Sequence, residues 1–138
     1  MTSQTFTILH VEDDPNDVFL MERAMKKGNL NIPMRHAKNG RDAIEYLDAA
    51  GRKTDPTAFP VPTVIFLDLK LPFVHGFDVL RWIKQESAIS KVPVIILSSS
   101  LEDEDRKKAY ALGAEKFLIK PPTSERLTET LREFSALN

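Results

Sequence analysis

Four polar sites in this 138-residue chain each follow directly on a short apolar run. Residues 63–67, TVIFL, are all β-branched or large and apolar, and they end abruptly on Asp68. Residues 6–11, FTILHV, stop at Glu12-Asp13-Asp14; residues 92–97 run into Ser98, Ser99 and Ser100; residues 116–119 end on Lys120. A charge at the end of a buried run is costly without a partner, so these residues are the first to weigh. Two unit charges about 4 Å apart repel by roughly 4 kcal/mol at an effective dielectric of 20. Three or four converging carboxylates must therefore protonate, spread apart or recruit a cation. Oxygen ligands with neither imidazole nor thiolate among them favour a hard ion, Mg²⁺ before Ca²⁺. Mg²⁺ keeps one or two protein carboxylates and fills its shell with water and phosphate. A lysine and a hydroxyl beside it would hold the remaining phosphoryl oxygens. Taken singly, Asp14 reads as a helix cap, Ser98 as a strand-end hydroxyl and Lys120 as a solvated lysine. Only their joint placement argues for chemistry.

That placement depends on the elements. A continuous apolar run such as 63–67 reads as a strand buried on both faces of a parallel sheet. Residues 6–11, 32–37, 92–97 and 116–119 read as four more strands. Between them lie helical patterns. Asp14-Pro15 predicts a cap with proline at the first helical position. Val18, Met21 and Met25 share one face of that helix, and Gly28 is placed to end it. Asn39 caps a second helix carrying Ala43, Ile44 and Leu47, closed by Gly51. Pro72 and Gly76 punctuate a loop before a third helix with Phe77, Leu80 and Ile83 in line. Ser100 with Asp103 resembles a capping box for a fourth, with an acidic first turn, ending at Gly113. Thr123 caps a fifth, in which Leu127, Leu131 and Phe134 repeat. Residues 51–62, GRKTDPTAFPVP, hold three prolines and no periodicity, which predicts a surface loop. Strands joined through helices must be parallel, so the class is α/β, with helices on both sheet faces. All the carboxyl ends then share one edge, where open α/β sheets bind ligands.

Composition narrows the functions. With 19 basic and 20 acidic residues the formal net charge is −1, so nucleic-acid binding is not expected. The chain has no cysteine, which excludes disulfides, thiolate zinc sites and cysteine nucleophiles. MTSQTFTILH lacks the pattern of a signal peptide, and no apolar run reaches the roughly 18 residues of a membrane span. One cytoplasmic domain over residues 1–138 is the expectation.

With these residues in place the chain strongly resembles the receiver domain of two-component response regulators over essentially its whole length. The acidic pair matches Glu12-Asp13 in VEDDP, the phosphoacceptor matches Asp68 in LDLKLPFVHG, and Pro72 and Gly76 keep the family's spacing. Ser98 in PVIILSS matches its hydroxyl residue, Lys120 in LIKP its lysine, and Phe117 its switch aromatic. The loop at 51–62 resembles the longer segment of single-domain regulators paired with bacterial phytochromes. The resemblance implies a flavodoxin-like (βα)5 sheet of order 2-1-3-4-5 and a cis Lys120–Pro121 bond. It implies Mg²⁺ held by Asp13, by Glu12 through water, by an Asp68 oxygen and by the Lys70 backbone carbonyl, with the Lys70 side chain at the mouth of the site. A sensor histidine kinase would supply the phosphoryl group. Ser98 and Phe117 would then move together, and the signal would leave through the face of helix four, strand five and helix five. That face could also make a homodimer. No output domain is expected, so the target is a separate, unidentified protein. Two rival readings are weaker. A haloacid-dehalogenase-like phosphohydrolase needs a second Asp two positions after the nucleophile, where this chain has Lys70. A pseudo-receiver that only binds partners normally loses the acceptor, acid pair or lysine, all present here.

Overall fold

A computed structural model describes residues 6–134; the readings made on residues 1–5 and on Asn138 lie outside them. Five strands and five helices alternate: β1 (Ile8–Val11), α1 (Pro15–Lys27), β2 (Met34–Ala37), α2 (Gly40–Arg52), β3 (Val64–Asp68), α3 (Gly76–Gln85), β4 (Val94–Ser98), α4 (Asp103–Ala111), β5 (Lys116–Ile119) and α5 (Ser124–Glu133). The strands form one parallel sheet in the order β2-β1-β3-β4-β5, the flavodoxin-like arrangement expected. Side chains alternate between its faces. Ile65, Leu67, Val94 and Ile96 pack with α2, α3 and α4 residues such as Leu47, Leu80, Ile83 and Ala109. Ile8, Val64, Phe66 and Ile95 pack with Met21 and Met25 of α1 and Leu127 and Leu131 of α5. Every residue of β3 and β4 is buried, as their unbroken apolar runs require.

Four strands begin later than the apolar runs predict, β1, β2 and β4 by two residues and β3 by one, and prolines explain the late starts of β2 and β4. Pro33 and Pro93 have no N–H to donate. Their carbonyls instead accept from Ile8 and Ile65 at 2.9 Å, marking where the ladders begin. The caps at Asp14, Asn39 and Thr123 form as expected, each side chain accepting a backbone N–H of the first turn. Gly51 does not end α2: the helix runs on to Arg52 and closes at Lys53 in the left-handed region (φ 58°). A Cβ on Gly51 would lie 3.2 Å from the Ala88 Cβ, so its role is close tertiary approach. The capping box at Ser100 does not form either. Glu102 is the N-cap, while the Ser100 hydroxyl accepts from the Glu102 N–H at 3.2 Å and donates to Asp105 at 2.7 Å. The acidic first turn of α4 is there, as Asp103, Glu104 and Asp105.

The loop before β3 is tied down. The Tyr46 hydroxyl donates to the Pro60 carbonyl at 2.7 Å, and Arg35 donates to the Ala58 carbonyl at 2.8 Å. Gly76 is the first residue of α3 rather than part of the loop. A Cβ there would overlap the Asp68 carbonyl and the Leu69 backbone, so glycine is what lets α3 close over the end of β3. The Lys120–Pro121 bond is cis.

Candidate functional site at the carboxyl edge of the sheet

Strand register sets the site. Val11 pairs with Leu67, Asp68 with Leu97, and Ser98 with Ile119, so the four sequence positions open onto one edge. Oxygens of Glu12, Asp13 and Asp68 lie within 4.8 Å of one another. Glu12 and Asp68 are buried and Asp13 is exposed, a gradient from protein interior to solvent. Asp14, next in sequence, stays out of this group and caps α1 through a 2.9 Å bond to the Asn16 N–H.

Lys120 reaches into the cluster from the end of β5. Its Nζ stands 2.6 Å from Glu12 Oε1, 3.0 Å from Asp17 Oδ2 and 3.2 Å from Asp68 Oδ2. Burial alone would lower the lysine's pKa. The bonds to Glu12 and Asp17 and the charge of Asp68 outweigh it, and the ammonium holds its proton well above the usual range. Glu12 behaves oppositely. Burial pushes its carboxyl up to about 7, with Lys120 opposing and Asp68 adding to the rise. Its Oε1 makes the ion pair with Lys120 but no aligned hydrogen bond. Three carboxylates whose oxygens lie this close, one of them open to solvent, fit a hard cation.

The remaining expected residues are present with differences. The Ser98 hydroxyl is buried and accepts the Ser100 N–H at 3.0 Å, so it is engaged with its own loop. Phe117 already lies inward, 6% exposed, with the Arg106 guanidinium 5.4 Å from its ring centroid. The Lys70 backbone N–H approaches Asp68 Oδ1 at 3.4 Å. Its side chain is exposed and makes no ion pair among the described residues, so nothing holds it across the mouth of the site.

Two residues escaped the sequence reading. Asp17 is one; its signal, an acid in the first turn of α1, looked like ordinary helix-dipole complementarity. His10 is the other, a titratable residue inside an apolar strand. It is 1% exposed, and its Nδ1 lies 3.3 Å from His36 Nδ1 on the neighbouring strand. Burial first, then the charges of His36 and Lys120, push its pKa down to about 3. A histidine lowered in this way stabilises the fold above its unfolded value, near 6.5, and the contribution is lost as pH falls toward the folded value. In metal-free buffer, wild type should therefore lose about 2–3 kcal/mol more than His10→Leu between pH 6.5 and 4.5. Parallel denaturant titrations check this, and equal slopes with pH would remove His10 as the cause.

The family model of the response regulator receiver domain matches residues 8–132. The chain is 33% identical over 131 residues to the probable methanogenesis regulatory protein FilR2 of Methanothrix harundinacea, covering 93% of this chain and 80% of that one. The solved structure of the bacteriophytochrome response regulator AtBRR superposes with a TM-score of 0.82 at 32% identity, over 99% of this chain and 96% of that chain. The Mn²⁺-bound form of response regulator Rcp1 superposes with a TM-score of 0.74 at 27% identity, over 96% and 93% of the two chains. No helix among the described residues is long and apolar enough to cross a membrane.

Proposed function

The chain belongs to the response regulator receiver domain family, and on that premise we propose that residues 1–138 act as one phosphorylation-activated signalling domain. The observation that carries the reading is the buried Asp68 carboxylate, held 3.2 Å from the Lys120 ammonium and grouped with Glu12 and Asp13. An Asp68 oxygen attacks the phosphorus of a phosphohistidine in line. The new O–P bond forms as the P–N bond breaks, and the electron pair leaves on the imidazole nitrogen, which takes a proton from solvent. Negative charge spreads over the phosphoryl oxygens during the transfer, and a preplaced ammonium offsets it without reorganisation. Asp13, Glu12, Asp68 and the Lys70 carbonyl would hold Mg²⁺, which supplies further positive charge to those oxygens. The protein turns over no other substrate in this reading; Asp68 gains and loses its own phosphoryl group.

The donor is a sensor histidine kinase, and the likeness to the bacteriophytochrome response regulator AtBRR favours a phytochrome. Phosphate draws the Ser98 hydroxyl away from the Ser100 N–H. Ser100 also holds Glu102 and Asp105, so the release reaches the start of α4. Arg106 in that helix covers Phe117, which ties the change to the α4-β5-α5 face. This is a population shift, and phosphate must favour one packing over the other. A downstream protein, or a second copy of the chain, would read that face.

The test of the reading is incubation with Mg²⁺ and acetyl phosphate followed by intact mass. A gain of one phosphoryl group supports the switch, and none overturns it. The cation site is checked separately. Mg²⁺ should raise the melting temperature by mass action, and Asp13→Ala should remove most of that rise. An undiminished rise in the variant would place the ion elsewhere.

A further inference from the structure

Lys120 has a carboxylate partner outside the acidic cluster. Asp17 is the third residue of α1, and its Oδ2 accepts from Lys120 Nζ at 3.0 Å across 103 residues of sequence. An acid at this position of a helix ordinarily turns back to the free N–H groups of the first turn. Here others meet that need. Asp14 Oδ1 takes the Asn16 N–H at 2.9 Å, and Glu12 Oε2 takes the Asp14 N–H at 3.3 Å. The Asp17 carboxylate is left for Lys120. The small space beside the pair, about 10 Å³ and bordered by His10, Glu12, Asp17 and Lys120, has no room for a ligand larger than water.

An ammonium has three N–H donors, and three carboxylates surround it at 2.6, 3.0 and 3.2 Å, so a phosphoryl oxygen gains a donor only by displacing one of them. The contact to the acceptor, Asp68, is the longest. Glu12 and Asp68 also belong to the group of oxygens that a cation would draw on, whereas Asp17 does not. With a cation in place, Asp17 is the one carboxylate whose hold on Lys120 the cation does not contest.

Taking Asp68 as the phosphoacceptor, we propose that Asp17 is a positioning residue for that reaction: it tethers the Lys120 ammonium to α1 and restrains it from the phosphoryl group. A lysine ammonium is a point charge on a flexible stem, so its place is set by the balance of its partners. A phosphoryl group on Asp68 pulls it one way and Asp17 the other. Each contact weakens the other by the same factor, so phosphorylation loosens the link between α1 and the end of β5.

Asp17→Asn keeps the size and an accepting oxygen but removes the charge. Phosphorylation by acetyl phosphate with Mg²⁺, followed by intact mass, should become about three- to fivefold faster, the upper end of the scale for a single partly exposed ion pair. Asp17→Glu, which restores the charge, should stay near the wild-type rate. The same Asp17→Asn change in a Lys120→Met background should have no effect, because the tether then has nothing to hold. An unchanged or slower Asp17→Asn rate overturns the proposal. So does an acceleration that persists without Lys120, which would reduce Asp17 to a general field effect. Asp17→Ser, also uncharged, serves if the Asn variant does not fold. Wild type that gains no phosphoryl group overturns the phosphoacceptor reading and this tether with it; labelled wild type with an unaltered Asp17→Asn overturns the tether alone.

Discussion

Asp68→Asn should abolish the phosphoryl gain from acetyl phosphate while the protein stays folded and becomes more stable in metal-free buffer. An amide oxygen is a far poorer nucleophile than a carboxylate and forms no acyl phosphate. The substitution is nearly isosteric at a residue that is 6% exposed, so packing around the end of β3 is kept. The gain in stability follows from charge. Asp68 adds to the burial that pushes the Glu12 carboxyl up, so removing it lets Glu12 ionise at lower cost. Glu12 and Asp17 still hold Lys120 after the change. The attraction to Lys120 lost at 3.2 Å offsets much of the relieved repulsion, and the net gain is on the order of 1 kcal/mol. Full labelling of the folded variant would move the acceptor to Asp13 or Glu12. A folded variant that is unlabelled but less stable would keep the acceptor and reject the repulsion argument.

The fold was legible because its signals are local and repeat. Apolar runs ending on polar residues mark β1, β3, β4 and β5, and helical spacing between them forces parallel strands. The layout of the candidate site was legible for the same reason, since parallel strands carry Glu12, Asp68, Ser98 and Lys120 to one edge. What was not legible depends on partners distant in sequence. Gly51 looks like a helix end until Ala88 is seen against it. Gly76 looks like a loop breaker until the Asp68 carbonyl is seen where its Cβ would be. Ser100 looks like a cap, but the competing bond to Asp105 takes its hydroxyl. Asp17 has a local explanation in the helix dipole, and His10 is one polar residue in an otherwise apolar run. Only packing shows that the first meets Lys120 and the second meets His36.

Lys120→Met should slow phosphoryl transfer by about a hundredfold, the usual cost of one preplaced charge donor. It should also cost stability that Mg²⁺ restores without restoring transfer. The side chains of Glu12 and Asp68 are 1% and 8% exposed, and without the ammonium they face each other unpaired. Removing one partner of such a pair costs roughly 3 kcal/mol or more when the other stays charged. Glu12 has an escape, because protonation neutralises it, and that makes the loss depend on pH. Its carboxyl, at about 7, lies above the ordinary value, with burial as the main cause and Lys120 opposing. A carboxyl raised in the folded state favours folding at low pH, and that contribution is lost as pH rises through the folded value. Without Lys120 the value rises further. The deficit of the variant should therefore be largest near pH 8 and shrink toward pH 5. At pH 8, Mg²⁺ supplies the missing positive charge, so it should raise the variant's melting temperature more than that of wild type. Transfer stays slow even then, because a cation held by the carboxylates does not supply the N–H donors that the ammonium offers the phosphoryl oxygens. Melting curves with and without Mg²⁺ at the two pH values, set beside the labelling rate, separate these effects. A deficit independent of pH would reduce Lys120 to packing, and an undiminished rate would remove it from the reaction.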